Sequence, residues 1–452
     1  MARVRVKLAR NLFPRPPVAP RPMSLLLRGG YVVTQNARRE VLRGDVLVED
    51  GRVAAVGQVR DSAERVIDCT NMAVLPGLIN THHHVANTLL RGAADDVPLE
   101  AMLETAFAID ARLTRRDVQM GALLGCIEML KSGTTSFHDL FYWEDEVARG
   151  VREAGIRGFL SWVVLDEAFT TQRGSPLKNA EQFARKMKGD ELVTPSVGVQ
   201  GVYVASEETW AGARALADAL DAGLHAHLAE TRSEVYNHRK KTSLRPVEWL
   251  EKIGFLCDRV VAAHCVWVTL NEVRALGRHG VKVAHCPTSN MKLASGGVAP
   301  LPEMFEAGVT VSLGTDSPIS NNGMDLFQEM KAAALLHKSS RWDASVLPAQ
   351  RALDLATIDG ARALRAGDRL GSIEPGKLAD LAVLDLHRAH ATPFNRNNLI
   401  RHLVYTCRGS DVRYALVGGR VVVDDGSVTT VDESSVVDRV QEIASELYGV
   451  NG

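Results

Sequence analysis

Four short apolar runs, each ending in a histidine or an aspartate, constrain this chain more than any other feature. VLPGLIN precedes His82, LHAHL surrounds His227, RVVAAHC carries His264 and VTVSLGTD ends at Asp316. Each reads as a buried strand with a reactive side chain at its C-terminal end. A (β/α)8 barrel brings all its strand C-termini to one mouth, so residues far apart in sequence meet there. Apolar runs alternate with helical segments over 76–370, as βα units do. Barrel strands are expected at 76–82, 134–140, 156–166, 193–201, 223–228, 259–265, 281–286 and 309–315.

Both ends of the chain are rich in short strands. Residues 23–75 carry hairpin signals (LLLRGGYVVT, DVLVEDGRVAAVG, RVIDCT), and 371–432 return to strands. The late segment LVGGRVVVDDG echoes the early LVEDGRVAAVG. The expected fold class is therefore α/β, a TIM barrel at 76–370 with a small β-sandwich built from both chain ends. A helix over about 433–448, within a final segment 433–452, closes the chain. Residues 1–22 hold six basic residues, no acidic ones and several prolines, and read as a flexible basic tail. They contain no apolar core of a secretory signal.

His82 and His84 are two apart, so on an extended strand they face the same way, and His83 faces the opposite way. His227 adds a third imidazole and Asp316 a carboxylate. Three nitrogens and one carboxylate suit one divalent metal ion, Zn2+ first, with Fe2+ or Mn2+ as alternatives, and leave a position open for water. Seven of the 14 histidines fall at 82–84, 225, 227, 264 and 285, a clustering at strand ends that solvated surface histidines would not show. His225 has the same facing as His227 one pleat deeper, as a partner to a ligand or as a core histidine. The roles of His138 and His285 stay open, and Asp139 reads as structural.

The motifs NTHHH with TLLRGAADD, HLAET, AAHCV, HCPTSNMKL and LGTDSPISNN together resemble the amidohydrolase superfamily, over about residues 25–448. The likeness is to its mononuclear aminohydrolase branch: the methylthioadenosine, S-adenosylhomocysteine and 5'-deoxyadenosine deaminases, and the triazine hydrolases. Binuclear members carry a bridging carboxylated lysine on strand 4. Here that strand reads VTPSVGVQG and has no lysine, so one metal is expected. The resemblance implies hydrolytic deamination of an aminated aromatic heterocycle. Metal-activated water attacks the amino-bearing carbon and ammonia leaves. Asp316 would move the water proton to the amine, His264 would steady the attacking oxygen, and Glu230 would protonate the adjacent ring nitrogen. That last role needs a carboxyl whose pKa a dry pocket has raised.

Several substrate-binding positions depart from the adenosine-type deaminases. Asn87 stands where they place a methionine, and Asp110 where a ribose-binding glutamate is usual. Trp162 replaces an arginine and Gln200 a histidine, while Arg173 is out of register with a second expected arginine. These changes remove positive charge and disfavour a substrate with a carboxylate tail. They favour a flat, amide-like ring stacked on Trp162 and read by Asn87 and Gln200. A triazine-type hydrolase displacing chloride or an alkylamine is the alternative, and a catalytically silent scaffold a more distant one.

The formal charge of -1 provides no field to attract nucleic acid or an anionic membrane. No apolar run approaches the roughly 20 residues that span a bilayer. The six cysteines lack paired spacing and read as reduced thiols of a cytoplasmic protein. The expected partner is a small heterocyclic substrate. Oligomeric state is not legible, although relatives in the resembled superfamily are often homo-oligomers.

Overall fold

A computed structural model of the chain describes residues 24–170 and 174–449; the basic tail at 1–22, Met23 and Arg173 lie outside them. The early strands are β1 (Ser24–Val33), β2 (Val41–Glu49), β3 (Arg52–Gly57), β4 (Arg65–Asp68) and β5 (Met72–Pro76). The barrel follows as β6 (Leu78–His83), β7 (Thr134–Phe141), β8 (Arg157–Val164) and β9 (Val193–Val199). It continues through β10 (Gly223–Leu228), β11 (Val260–His264), β12 (Lys282–His285) and β13 (Val311–Leu313). The late strands are β14 (Leu381–Asp385), β15 (Val412–Val417), β16 (Arg420–Asp424) and β17 (Ser427–Val428).

Strands β6 to β13 are neighbours in sequence order, and every pair is parallel. All eight positions of β7 and of β8 are buried, as expected where helices cover the outside of a parallel sheet. The seam closes through a parallel bridge between His83 and Asp316. Gly314 makes that closure possible. A Cβ there would lie 2.8 Å from the His82 Cβ and 3.0 Å from the His82 backbone, so any larger residue would have to push the seam apart.

The second sheet runs β17-β16-β15-β14-β5-β1-β2-β3, with β4 also on β1. Antiparallel pairing of β5 with β14 unites the two chain ends, as the echoing segments imply. Both echoes are hairpins turning on two left-handed residues, Asp50-Gly51 (φ 46° and 76°) and Gly418-Gly419 (φ 53° and 75°). Such turns match the twist of the strands that they join. This sheet has a core of its own, including Leu25, Val46, Val74, Leu381 and Leu416.

Most expected barrel-strand bounds shift by one or two residues, and one shift moves residues between sheets. Pro76 pairs with Leu381 in the second sheet, so the barrel strand begins at Leu78 rather than at 76. The closing helix spans Glu433–Tyr448 and packs on helix Arg115–Lys131. Tyr448 Oη donates to the Leu89 carbonyl at 2.8 Å, in the short helical turn Val85–Leu90 that follows His84. All six cysteines are free thiols, and Cys265 and Cys286 are fully buried. No helix among the described residues is long and apolar enough to cross a membrane.

Candidate active site

The barrel mouth gathers the expected donors. Asp316 Oδ1 lies 3.3 Å from His82 Nε2 and 3.4 Å from His84 Nε2. His84 Nε2 lies 3.2 Å from His227 Nε2. The donor atoms of His82, His84 and His227 all fall within 4.8 Å of one another, as do those of His82, His264 and Asp316.

The outer nitrogens of these rings show why a cation fits. His84 Nδ1 donates to the Leu140 carbonyl and His227 Nδ1 to the Gln200 carbonyl, each at 2.6 Å. A carbonyl only accepts, so both Nδ1 atoms carry the proton. In the neutral rings both Nε2 atoms then present lone pairs to each other at 3.2 Å, an arrangement that a shared cation relieves. His82 Nε2 is buried without a hydrogen-bond partner. Burial lowers the pKa of His82 and pushes that of His227 far down, which favours the neutral form of these two rings that metal binding requires; His84, lowered by burial, is raised overall by the facing Asp316. Asp316 Oδ2 accepts from Ser289 Oγ at 2.5 Å and Ser320 Oγ at 3.1 Å, leaving Oδ1 turned to the imidazoles.

At the strand ends around these donors the backbone enters the left-handed region, at Ala229 (φ 50°), His264 (φ 74°) and Asp316 (φ 59°). Non-glycine residues adopt it at a cost of roughly 1–2 kcal/mol each. Strain of this kind gathers where the surrounding structure fixes a functional geometry.

His264 accepts from Asn290 Nδ2 at its Nδ1, 3.1 Å away, which leaves Nε2–H free to donate across the mouth. Glu230 Oε2 lies 3.7 Å from that Nε2. Glu230 Oε1 is buried without a partner. Burial, reinforced by the Asp316 charge, pushes the Glu230 pKa well above the carboxylate range, which favours the protonated acid.

One cleft brings His84, His227, Glu230, His264 and Asp316 together with Asn87, Asp110 and Gln200. Asn87 donates from Nδ2 to Ser317 Oγ at 2.9 Å and keeps Oδ1 free. Gln200 donates to Tyr203 Oη at 3.2 Å. Asp110 ends helix Leu99–Asp110, and burial holds its carboxyl up to about 7. Trp162 is a correction. Its neighbours Ser161 and Val163 face inward, so alternation along β8 turns Trp162 to the helix layer. There it packs on Phe183, with ring centroids 5.9 Å apart, and Val163 lines the cleft instead.

The open histidines also find places. His83 faces away from the donors, and its Nδ1 donates to the Asp316 carbonyl at 2.7 Å. His225 Nε2 sits 2.8 Å from His82 Nδ1, directly behind a donor ring. His138 stacks on His225 at 3.7 Å and bonds Ser161 Oγ at 2.9 Å, inside the barrel and below the mouth. Asp139 accepts the Val85 N–H at 2.7 Å and so braces the end of the His82–His84 segment. His285 pairs with His337 at 3.2 Å, away from the cleft.

The wall built by Leu99, Met102, Leu103, Ala106 and Phe107, and Tyr203 beside it in the cleft, were not expected from the sequence. The wall's signal is an apolar stripe at helical spacing, which core helices also carry. Ser289, Asn290 and Ser320 lay within quoted motifs and acquired roles only from geometry.

A closed parallel barrel with imidazoles and an aspartate converging at its C-terminal mouth defines a barrel hydrolase of the metal-dependent kind. Residues 73–422 match the Amidohydrolase family. The chain is 42% identical over 431 residues to a 5'-deoxyadenosine deaminase of Methanothermobacter thermautotrophicus, covering 94% of this chain and 99% of that protein. It is 41% identical to a 5-methylthioadenosine/S-adenosylhomocysteine deaminase of Syntrophobacter fumaroxidans, with 93% and 97% covered. An adenosine deaminase of Xanthomonas campestris, solved with bound zinc, superposes with a TM-score of 0.91 at 32% identity, covering 95% of this chain and all of that one. An atrazine chlorohydrolase of Arthrobacter aurescens, complexed with zinc, gives 0.85 at 24% identity, with 93% and 100% covered, and shares the fold alone. The chain belongs to the amidohydrolase family. It is a metal-dependent hydrolase of carbon–nitrogen bonds, a deaminase of an aminated heterocycle.

Proposed function

We propose that the protein is a Zn2+-dependent deaminase of 5'-deoxyadenosine or a closely similar purine nucleoside, releasing ammonia. The observation that carries the reading is the Glu230 carboxyl. It is buried and unpartnered at Oε1, burial raises its pKa, and it shares a cleft with the converging imidazoles and Asp316. An acid in that position serves an attack on a ring carbon beside a basic nitrogen.

His82, His84, His227 and Asp316 would hold one ion, and Zn2+ suits this donor set. When bound, the ion supplies a water that loses its proton near neutral pH. Glu230 donates its proton to the ring nitrogen beside the amino-bearing carbon, which opens that carbon to the water oxygen. The Asp316 carboxylate accepts one water proton, and His264 Nε2–H holds the oxygen as it adds. On collapse, Asp316 passes its proton to the departing amine and Glu230 recovers one from the oxygen. Ammonia leaves, the carbonyl forms and both carboxyl groups return to their starting states.

Asp110 supports a nucleoside, because its buried Oδ1 has no partner and can accept from a ribose hydroxyl. The apolar wall at Met102, Leu103 and Phe107 suits a 5' carbon without a polar group. No Lys or Arg is among the described residues that line the cleft, which disfavours the carboxylate of S-adenosylhomocysteine. Trp162 packs on Phe183 in the helix layer, which removes the stacking platform expected for a flat, amide-like ring.

The test is ammonia release from 5'-deoxyadenosine, methylthioadenosine, adenosine, S-adenosylhomocysteine, guanine and melamine by zinc-loaded protein. The reading expects the first two to react with the highest kcat/KM. Preference for guanine or melamine would contradict it.

A further inference from the structure

We propose that Glu234 is a positioning residue for this reaction, holding the backbone that aims the Glu230 carboxyl. The inference rests on the function proposed for Glu230 and assigns a role to a residue outside the cleft.

Helix Arg232–Thr242 starts two residues after Glu230, with Thr231 as its cap. Thr231 Oγ1 accepts the Glu234 N–H at 3.1 Å. In a usual capping box the acidic side chain at this spacing returns to the cap residue's own N–H. Here Glu234 reaches further back. Oε1 accepts the Ala229 N–H at 2.9 Å, and Oε2 accepts the Glu230 N–H at 2.8 Å. Hydrogen bonds to a carboxylate are among the stronger ones. They grip a residue that needs gripping, because Ala229 is left-handed at φ 50°. Its carbonyl is taken as well, by the Trp267 N–H at 2.8 Å. Both peptide groups leading into Glu230 are thereby fixed.

The Glu230 side chain has no comparable anchor. Oε1 has no partner, and Oε2 is 3.7 Å from His264 Nε2. Its aim comes from its backbone, and Glu234 sets that backbone. Glu234 does not line the cleft, so it acts through Glu230 rather than on substrate.

The test is a double-mutant cycle on zinc-loaded protein with 5'-deoxyadenosine, using Glu234→Ala, Glu234→Gln, Glu230→Gln and the Glu230→Gln/Glu234→Ala pair. Small misplacements of reacting groups cost up to about a hundredfold. We expect kcat to fall about tenfold to a hundredfold in Glu234→Ala with KM unchanged. Glu234→Gln keeps one acceptor oxygen and should lose less. The pair should be no slower than Glu230→Gln alone, since Glu234 has nothing left to position. Multiplying losses in the pair, or full activity in Glu234→Ala, would overturn the proposal. Amide exchange of residues 228–231 gives an answer without substrate. It should speed up in both Glu234 variants while strands β10 and β11 stay protected, and unchanged exchange there would overturn the proposal. If the wild-type protein deaminates nothing in the panel, the function reading fails, and the exchange result still decides whether Glu234 holds this backbone.

Discussion

Asp316 donates its backbone N–H to the His82 carbonyl at 3.0 Å, while its Oδ1 lies 3.3 Å from the His82 Nε2. Two proposed metal donors thus close the barrel seam with their backbones and share the mouth with their side chains. Barrel closure and metal geometry are one structure, so damage to the seam should reach the site. Gly314→Ala would place a methyl group 2.8 Å from the His82 Cβ. We predict destabilisation of about 1–3 kcal/mol, as for other overpacked positions. Weaker zinc retention should accompany it. Thermal unfolding and a zinc-chelator competition check the pair, and a stable variant with normal zinc affinity would refute the coupling.

His225 stands behind His82 as an outer partner that fixes ring orientation and tautomer. Its Nδ1 reaches the Asp139 carbonyl and Ser161 Oγ, both at 3.3 Å, which lets Nε2 accept from His82 Nδ1–H. Removing such partners weakens metal binding about 10–100-fold. His225→Leu should show that loss in zinc affinity with the barrel still folded. Circular dichroism and zinc titration together check it.

Glu230→Gln removes the proton but keeps the shape. Loss of one acid–base group lowers the rate about 10²–10⁴-fold. We predict that drop in kcat with bound zinc unchanged, because Glu230 is not a donor in this account. Metal analysis alongside steady-state kinetics separates the two effects.

Asp110 should leave a signature in stability against pH. Burial holds its carboxyl up to about 7, against about 3.9 in an unfolded chain. The folded form therefore keeps the proton longer. The contribution to stability is full below about pH 4 and is lost as pH rises through about 7. Asp110→Asn removes this contribution, so its stability should fall less steeply than wild type between pH 4 and 7. Parallel curves would argue against a buried, protonated Asp110. The same variant should lose kcat/KM on nucleosides.

Much of the candidate site was legible because residues two apart on a strand face the same way. Alternation puts His82 and His84 on one side and His83 on the other, and apolar runs mark the strand ends that carry His227, His264 and Asp316. The second sheet was legible through a repeated turn, Asp50-Gly51 and Gly418-Gly419. Trp162 shows the limit. One residue of register decides whether a strand-end side chain meets the cleft or the helix layer, and an apolar strand buried on both faces carries no mark of which is which. The wall at Met102–Phe107 escaped notice for a similar reason, because a cleft-lining stripe and a core stripe have the same period. Glu234 required distances, since its partners are backbone N–H groups that every residue offers.

Ammonia release from 5'-deoxyadenosine by zinc-loaded wild type, metal-free wild type and Asp316→Asn tests the proposed chemistry at its core. The account predicts release by the first, none by the second until zinc is restored, and a loss of several orders of magnitude in the third. Undiminished release by metal-free protein or by Asp316→Asn would contradict it.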